Sequence, residues 1–140
     1  MPSHTKGLIQ DRRGATAVEF AFIAPMMLTL VFGIVGYGSI ISVNNGLQQL
    51  VAEAARASVA GLNDQERAQL AQQSITDGVR SYAFIDASKM TVAFDDPTTS
   101  SFRVSVRYDM SNMVAYHLLA WLPLPPAAVT RNAVVQRGGF

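Results

Sequence analysis

One carboxylate stands where its position demands a purpose. Glu19 immediately precedes residues 20–52, a stretch with no Asp, Glu, Lys or Arg at all. A carboxylate at the edge of such a run is costly to bury unless it is paired or protonated. Other residue types that could do chemistry are sparse. There is no cysteine, which excludes disulfides, thiolate metal sites and thiol nucleophiles. The two histidines, His4 and His117, lie too far apart to suggest a zinc motif, and His117 reads as a packed residue with a local hydrogen bond. Asp95-Asp96 has the composition of a cation site, but Asp followed by Pro97 is the usual opening of a loop. Gly33, Gly36 and Gly38 do not form a phosphate loop, because they lie inside the uncharged run with no strand before them. No catalytic constellation emerges, and neither a cofactor nor a metal is implied. The chain reads as a non-enzyme.

Composition points the same way. Charged residues make up 15% of the chain and apolar residues 49%, against roughly 25% charged in a typical soluble protein. The net charge of +1 gives no basic field for a phosphate backbone, so nucleic acid is an unsuitable partner.

The element that positions Glu19 must be the uncharged run itself. Phe20–Ile41 is dominated by Phe, Ile, Met, Leu, Val, Ala and Gly. It meets the requirement of about 20 apolar residues for a helix spanning a bilayer. A 140-residue chain has little core in which to hide such a helix on all sides. Gly33, Gly36 and Gly38 suit close packing between membrane helices, and Pro25 is expected to bend the helix near its start. Within residues 1–14, Lys6, Arg12 and Arg13 stand against a single acid, Asp11, while residues 42–60 hold only Glu53 and Arg56. The positive-inside bias therefore predicts a cytoplasmic amino terminus and a translocated remainder. A secretory signal is the rival reading, with a small-residue cleavage site near Val51–Ala55. The long apolar core and the acid at position 19 argue against it.

The stretch Arg12-Arg13-Gly14-Ala15-Thr16-Ala17-Val18-Glu19-Phe20-Ala21-Phe22-Ile23-Ala24-Pro25 resembles prepilin-type signals. These have a basic leader ending in glycine, a glutamate at the fifth mature position, an aromatic at the sixth, and then an apolar helix. More narrowly, residues 12–60 look like the TadE/TadG-like family of the tight-adherence (Tad, Flp) pilus system. That family opens with Arg-Arg/Lys-Gly-x-x-Ala-Val-Glu-Phe-Ala and places a proline six residues after the glutamate. The Gly33–Gly38 neighbourhood, the Ala54-Ala55-Arg56-Ala57-Ser58 step and a closing segment like Ala128–Arg137 are also similar to it. Phe20 replaces the tyrosine of some related motifs.

The resemblance implies cleavage by a prepilin peptidase between Gly14 and Ala15 on the cytoplasmic face. It implies that Glu19 then meets the new amine of Ala15 on a neighbouring subunit, with Phe20 and Pro25 completing the assembly motif. The implied protein is a minor pilin or pseudopilin of the bacterial envelope. It would sit in the inner membrane and act in adhesion through other pilin-like or Tad assembly proteins and the lipid bilayer. The alternative is a permanently anchored envelope protein, uncleaved, whose exported head binds an unrelated partner.

Beyond the span, Leu47, Leu50, Val51, Ala54, Ala55 and Val59 recur at helical spacing past an interruption at Asn44-Asn45-Gly46. A helix over Ala15–Ala60 would be roughly 70 Å long at about 1.5 Å per residue, with Gly61 as its stop. Asn63 and Glu66 read as a reciprocal capping box for a second helix running to about Arg80, with Ala71, Ile75, Val79 and Tyr82 as its buried stripe. Met90, Val92 and Phe94, then Phe102, Val104, Val106 and Tyr108, alternate with polar or small residues and predict an antiparallel hairpin across the loop 95–101. Its arginines are expected to face water. Met113–Leu122 predicts a short helix, too short to span a membrane, ended by Pro123, Pro125 and Pro126; Tyr116 and Trp121 fit either the lipid surface or, by preference, packing on the hairpin. Residues 127–137, with Val134 and Val135, suggest a last strand. The expected fold class is α+β. A leader (1–14) precedes a transmembrane and projecting helix (15–60, span about 20–41) and a small exported head (61–140).

Overall fold

A computed structural model describes residues 12–137, with side chains from Gly14 onward. Residues 1–11 of the basic leader, His4 among them, and the side chains of Arg12 and Arg13 lie outside the described residues. The chain forms two compact units, one ending at Val35 and one beginning at Gly36.

The first unit is the opening part of helix α1 (Arg12–Ser58). Almost every apolar side chain in it is exposed: Phe22 at 78%, Met26 at 75% and Phe20 at 67%. A helix that is apolar all round needs either a protein interior or lipid around it. The helix runs through Pro25 without a break. Proline has no N–H to offer the Ala21 carbonyl, while Thr29 Oγ1 donates to the Pro25 carbonyl at 2.8 Å.

The second unit is built around the rest of α1. Ile40, Val43, Leu47, Leu50, Val51, Ala54 and Ala55 are buried, the three- and four-residue spacing of one helix face. Helix α2 (Asp64–Gly78) adds Ala71 and Ile75, and Val79 follows in a single 3₁₀ turn. The other side of the core is a three-stranded antiparallel sheet in the order β1 (Met90–Asp95), β2 (Ser101–Asp109), β3 (Ala128–Gln136). Central strand β2 buries Phe102, Val104, Val106 and Tyr108. Its neighbours in register on that face are Met90, Val92 and Phe94 of β1, and Val129, Arg131, Ala133 and Val135 of β3. A fully buried leucine such as Leu47 contributes about 2–3 kcal/mol by removal from water. The observed class is α+β, as the patterning implied.

The polar interruption in α1 proves to be a docking point. The helix is continuous through Asn44-Asn45-Gly46. A Cβ on Gly46 would lie 2.9 Å from both Tyr82 and Ile85, so only glycine lets those side chains lie on the helix. Asn44 turns its amide nitrogen to the Ile40 carbonyl and its oxygen to Arg131.

Three local details differ from expectation. Asn63 caps α2 through the Glu66 N–H, but Glu66 returns to the Leu62 N–H rather than to Asn63. Gly61 follows the end of α1 without a left-handed conformation; it is required because a Cβ there would come within 2.7 Å of the Arg67 nitrogen. The buried stripe of α2 also begins one turn earlier than read, at Arg67.

The loop acids are paired. Asp95 accepts from Arg103 at 3.1 Å, directly across the β1–β2 ladder. Arg137 pairs with Asp96 and, at 2.9 Å, with Asp64, tying the end of β3 to the hairpin loop and to the start of α2. The hydrogen bond to Asp96, reinforced by the charges of both acids, pushes the Arg137 guanidinium still further toward its charged form.

Candidate membrane and assembly segment

Gly14, Ala15, Glu19, Phe20 and Pro25 all fall on α1 in the first unit, and all are exposed. Ala15 and Glu19 are one helical turn apart and share a face. Phe20, Phe22, Ile23, Met26 and Met27 follow with no polar side chain among them. An 18-residue window of helix 14–58 has the length and composition to cross a membrane, and none of that window is buried in the protein. The helix is a candidate membrane span.

The three glycines differ. Gly33 and Gly38 have nothing of the chain near the place a Cβ would occupy, so both offer open helix surface. Gly36 is covered, since a Cβ there would meet Leu119 Cδ1 at 2.7 Å. Leu119 directly follows helix α3 (Val114–Leu118).

Helix α3 overturns two expectations. His117 is exposed rather than packed, and Trp121 is 65% exposed rather than laid on the hairpin. Five helical residues between an irregular entry and a proline-rich exit can bury only one face. Ala115 and Leu119 take that face, leaving Val114 and Leu118 outward. Tyr116 is half-buried, and its hydroxyl donates to the Pro125 carbonyl at 3.1 Å.

Reasoning from sequence alone missed Arg131. Its Nη2 donates to Asn44 Oδ1 at 2.7 Å beside a groove lined by Ile40, Ile41, Pro125 and Val129. Strand alternation in β3 was the available signal, because Arg131 shares a parity with Val129, Ala133 and Val135. Among the described residues no group of three or more His, Asp or Glu side chains is placed to hold a metal ion. The Asp95-Asp96 pair is spent on arginines.

No curated protein and no solved structure matches the chain. One protein family does: from Gly14 to Arg56, the stretch holding Glu19, Phe20, Pro25 and the three glycines, the chain matches the TadE-like proteins, the family its opening motif resembles.

Proposed function

We propose that this protein is a minor pilin- or pseudopilin-like component of the tight-adherence pilus system, acting in pilus assembly at the inner membrane. The carrying observation is the coincidence, on one exposed apolar helix, of the TadE-like match with the Gly14–Ala15 step and Glu19. The helix crosses the bilayer once with its basic leader in the cytoplasm, as the flanking charges favour. A prepilin peptidase removes residues 1–14. Glycine at position 14 leaves the scissile bond without a side chain to obstruct a protease cleft. In the mature chain Glu19 pairs with the Ala15 amine of a neighbouring pilin-like subunit, which lowers the cost of keeping a carboxylate at the lipid boundary. Gly33 and Gly38, with open surface beside them, let neighbouring helices approach closely. The sheet-bearing unit supplies contacts with other Tad assembly proteins. The protein works by association, not by turnover of a substrate.

The test is genetic. Deleting the coding sequence in its own bacterium should abolish or shorten surface pili, and the intact chain supplied in trans should restore them. Unchanged pili in the deletion strain would favour a permanently anchored envelope protein with an unrelated partner.

A further inference from the structure

The sequence holds a second uncharged run. Residues 110–130 contain no Asp, Glu, Lys or Arg. In the fold it meets the first such run, 20–52, because Leu119 seats on Gly36 and the Pro125-Pro126 segment lines a groove with Ile40 and Ile41. Three outward side chains of the second run are large and apolar, with His117 exposed among them: Val114 is 69% exposed, Leu118 55% and Trp121 65%. Water is a poor environment for three such groups on α3 and the turn after it.

Depth along α1 says what covers them. A bilayer hydrocarbon core takes about 20 helical residues. Counted from Phe20, it ends near Ser39, so Gly36 lies just inside the boundary. An element packed on Gly36 is therefore held at the junction of acyl chains and headgroups, where Trp and Tyr are favoured. Tyr37, Tyr116 and Trp121 supply those aromatics. Arg131 lies on the same groove as Ile40 and Ile41, and among the described residues it has no carboxylate partner. It is placed to meet lipid phosphate while its stem stays on apolar surface.

From this we infer that α3 and the following proline-rich segment form an interfacial collar. Val114, Leu118 and Trp121 are inserted into the phospholipid leaflet at the carboxyl end of the span, and Arg131 lies at the level of its phosphates. The inference rests on α1 crossing the bilayer. The collar fixes how far the sheet-bearing unit stands from the membrane, and assembly must lift it from the lipid or carry lipid with it.

Trp121 is the sole tryptophan, so it reports directly. The full chain is reconstituted in phosphatidylethanolamine–phosphatidylglycerol vesicles. Its emission is then followed with lipids brominated at shallow or deep acyl positions and with aqueous acrylamide. The same series is run on the double variant Trp121→Phe, Val31→Trp, which reports on the span. The expected result is loss of Trp121 emission with shallow bromines and little loss with acrylamide, while the Val31 reporter responds to deep bromines. Full acrylamide quenching of Trp121 with a lipid-quenched Val31 reporter would overturn the collar and leave the span standing. Protection of Trp121 from both quenchers would also overturn it, since a second copy or another part of the chain would then cover the patch. A Val31 reporter untouched by brominated lipid would overturn the spanning reading and the collar with it.

Discussion

Arg131 Nη2 and Asn44 Oδ1, 87 positions apart in the chain, lie 2.7 Å from each other and join strand β3 to helix α1. The Asn44 amide is oriented by its second bond, Nδ2 to the Ile40 carbonyl at 2.9 Å. Arg131 faces inward in register with Val106, where an arginine without an acceptor would be costly. Asn44→Ala should destabilise the sheet-bearing unit by about 1–3 kcal/mol. Asn44→Asp should retain or raise stability through a charge-assisted bond. Denaturant titration of the detergent-solubilised protein measures both, and equal stability of wild type and Asn44→Ala would remove the bond from the stability argument.

The glycines of the uncharged run should separate by what stands opposite them. Gly36→Val drives a branched side chain into Leu119 and should cost about 1–3 kcal/mol through overpacking. Gly38→Ala meets open space and should be neutral or gain up to about 1 kcal/mol from helix propensity. The same denaturant titration ranks them, and the reverse order would contradict the placement of α3 on Gly36. If Gly38 serves contacts between subunits, Gly38→Leu should fold normally and still reduce pilus number.

Glu19→Ala should leave membrane insertion and removal of the leader intact while reducing surface pili. Immunoblotting of membrane fractions and electron microscopy of cells read the two effects separately. Normal piliation in this variant would sink the pairing of Glu19 with a neighbouring Ala15 amine.

Two carboxylates, Asp86 and Asp109, set an acid response. The Ser88 hydroxyl, and then its N–H, donate to Asp86 and hold that carboxylate below its ordinary pKa. The Ser111 N–H, and then its side chain, do the same for Asp109. A folded-state pKa below the unfolded one adds stability above the unfolded value, about 3.9, and the gain is lost as pH falls through the folded value. These two groups should therefore contribute no pH dependence between about 5 and 8 and a decline below about 4. Melting temperatures of the Asp86→Asn, Asp109→Asn double variant should fall less steeply in that acid range than those of wild type. Parallel curves would contradict the assignment.

Local rules carried much of the fold. Strict alternation at Phe102, Val104, Val106 and Tyr108 predicts the central strand, because a half-buried sheet imposes a period of two on side chains. Asn63 announced α2 because a cap is satisfied within four residues. What stayed hidden depends on contacts between distant positions. Arg131 reads as a surface cation until Asn44 is seen opposite it, and Gly46 reads as a helix flaw until Tyr82 and Ile85 are placed on it. Trp121 shows the opposite failure. Its apolar size favours burial on the hairpin, but it lies past the end of α3 and is 65% exposed. The TadE-like motif was legible as a string of residues. The proposed pairing of Glu19 is with another chain, and in the fold Glu19 is exposed.

The most direct measurement is the amino terminus of the protein extracted from membranes, read by mass spectrometry in cells with and without their prepilin peptidase. The expected result is a chain beginning at Ala15 when the peptidase is present and retaining its leader when it is absent. A chain that keeps the leader in both cells would contradict pilin-type processing, and a start near Val51–Ala55 would contradict the membrane span itself.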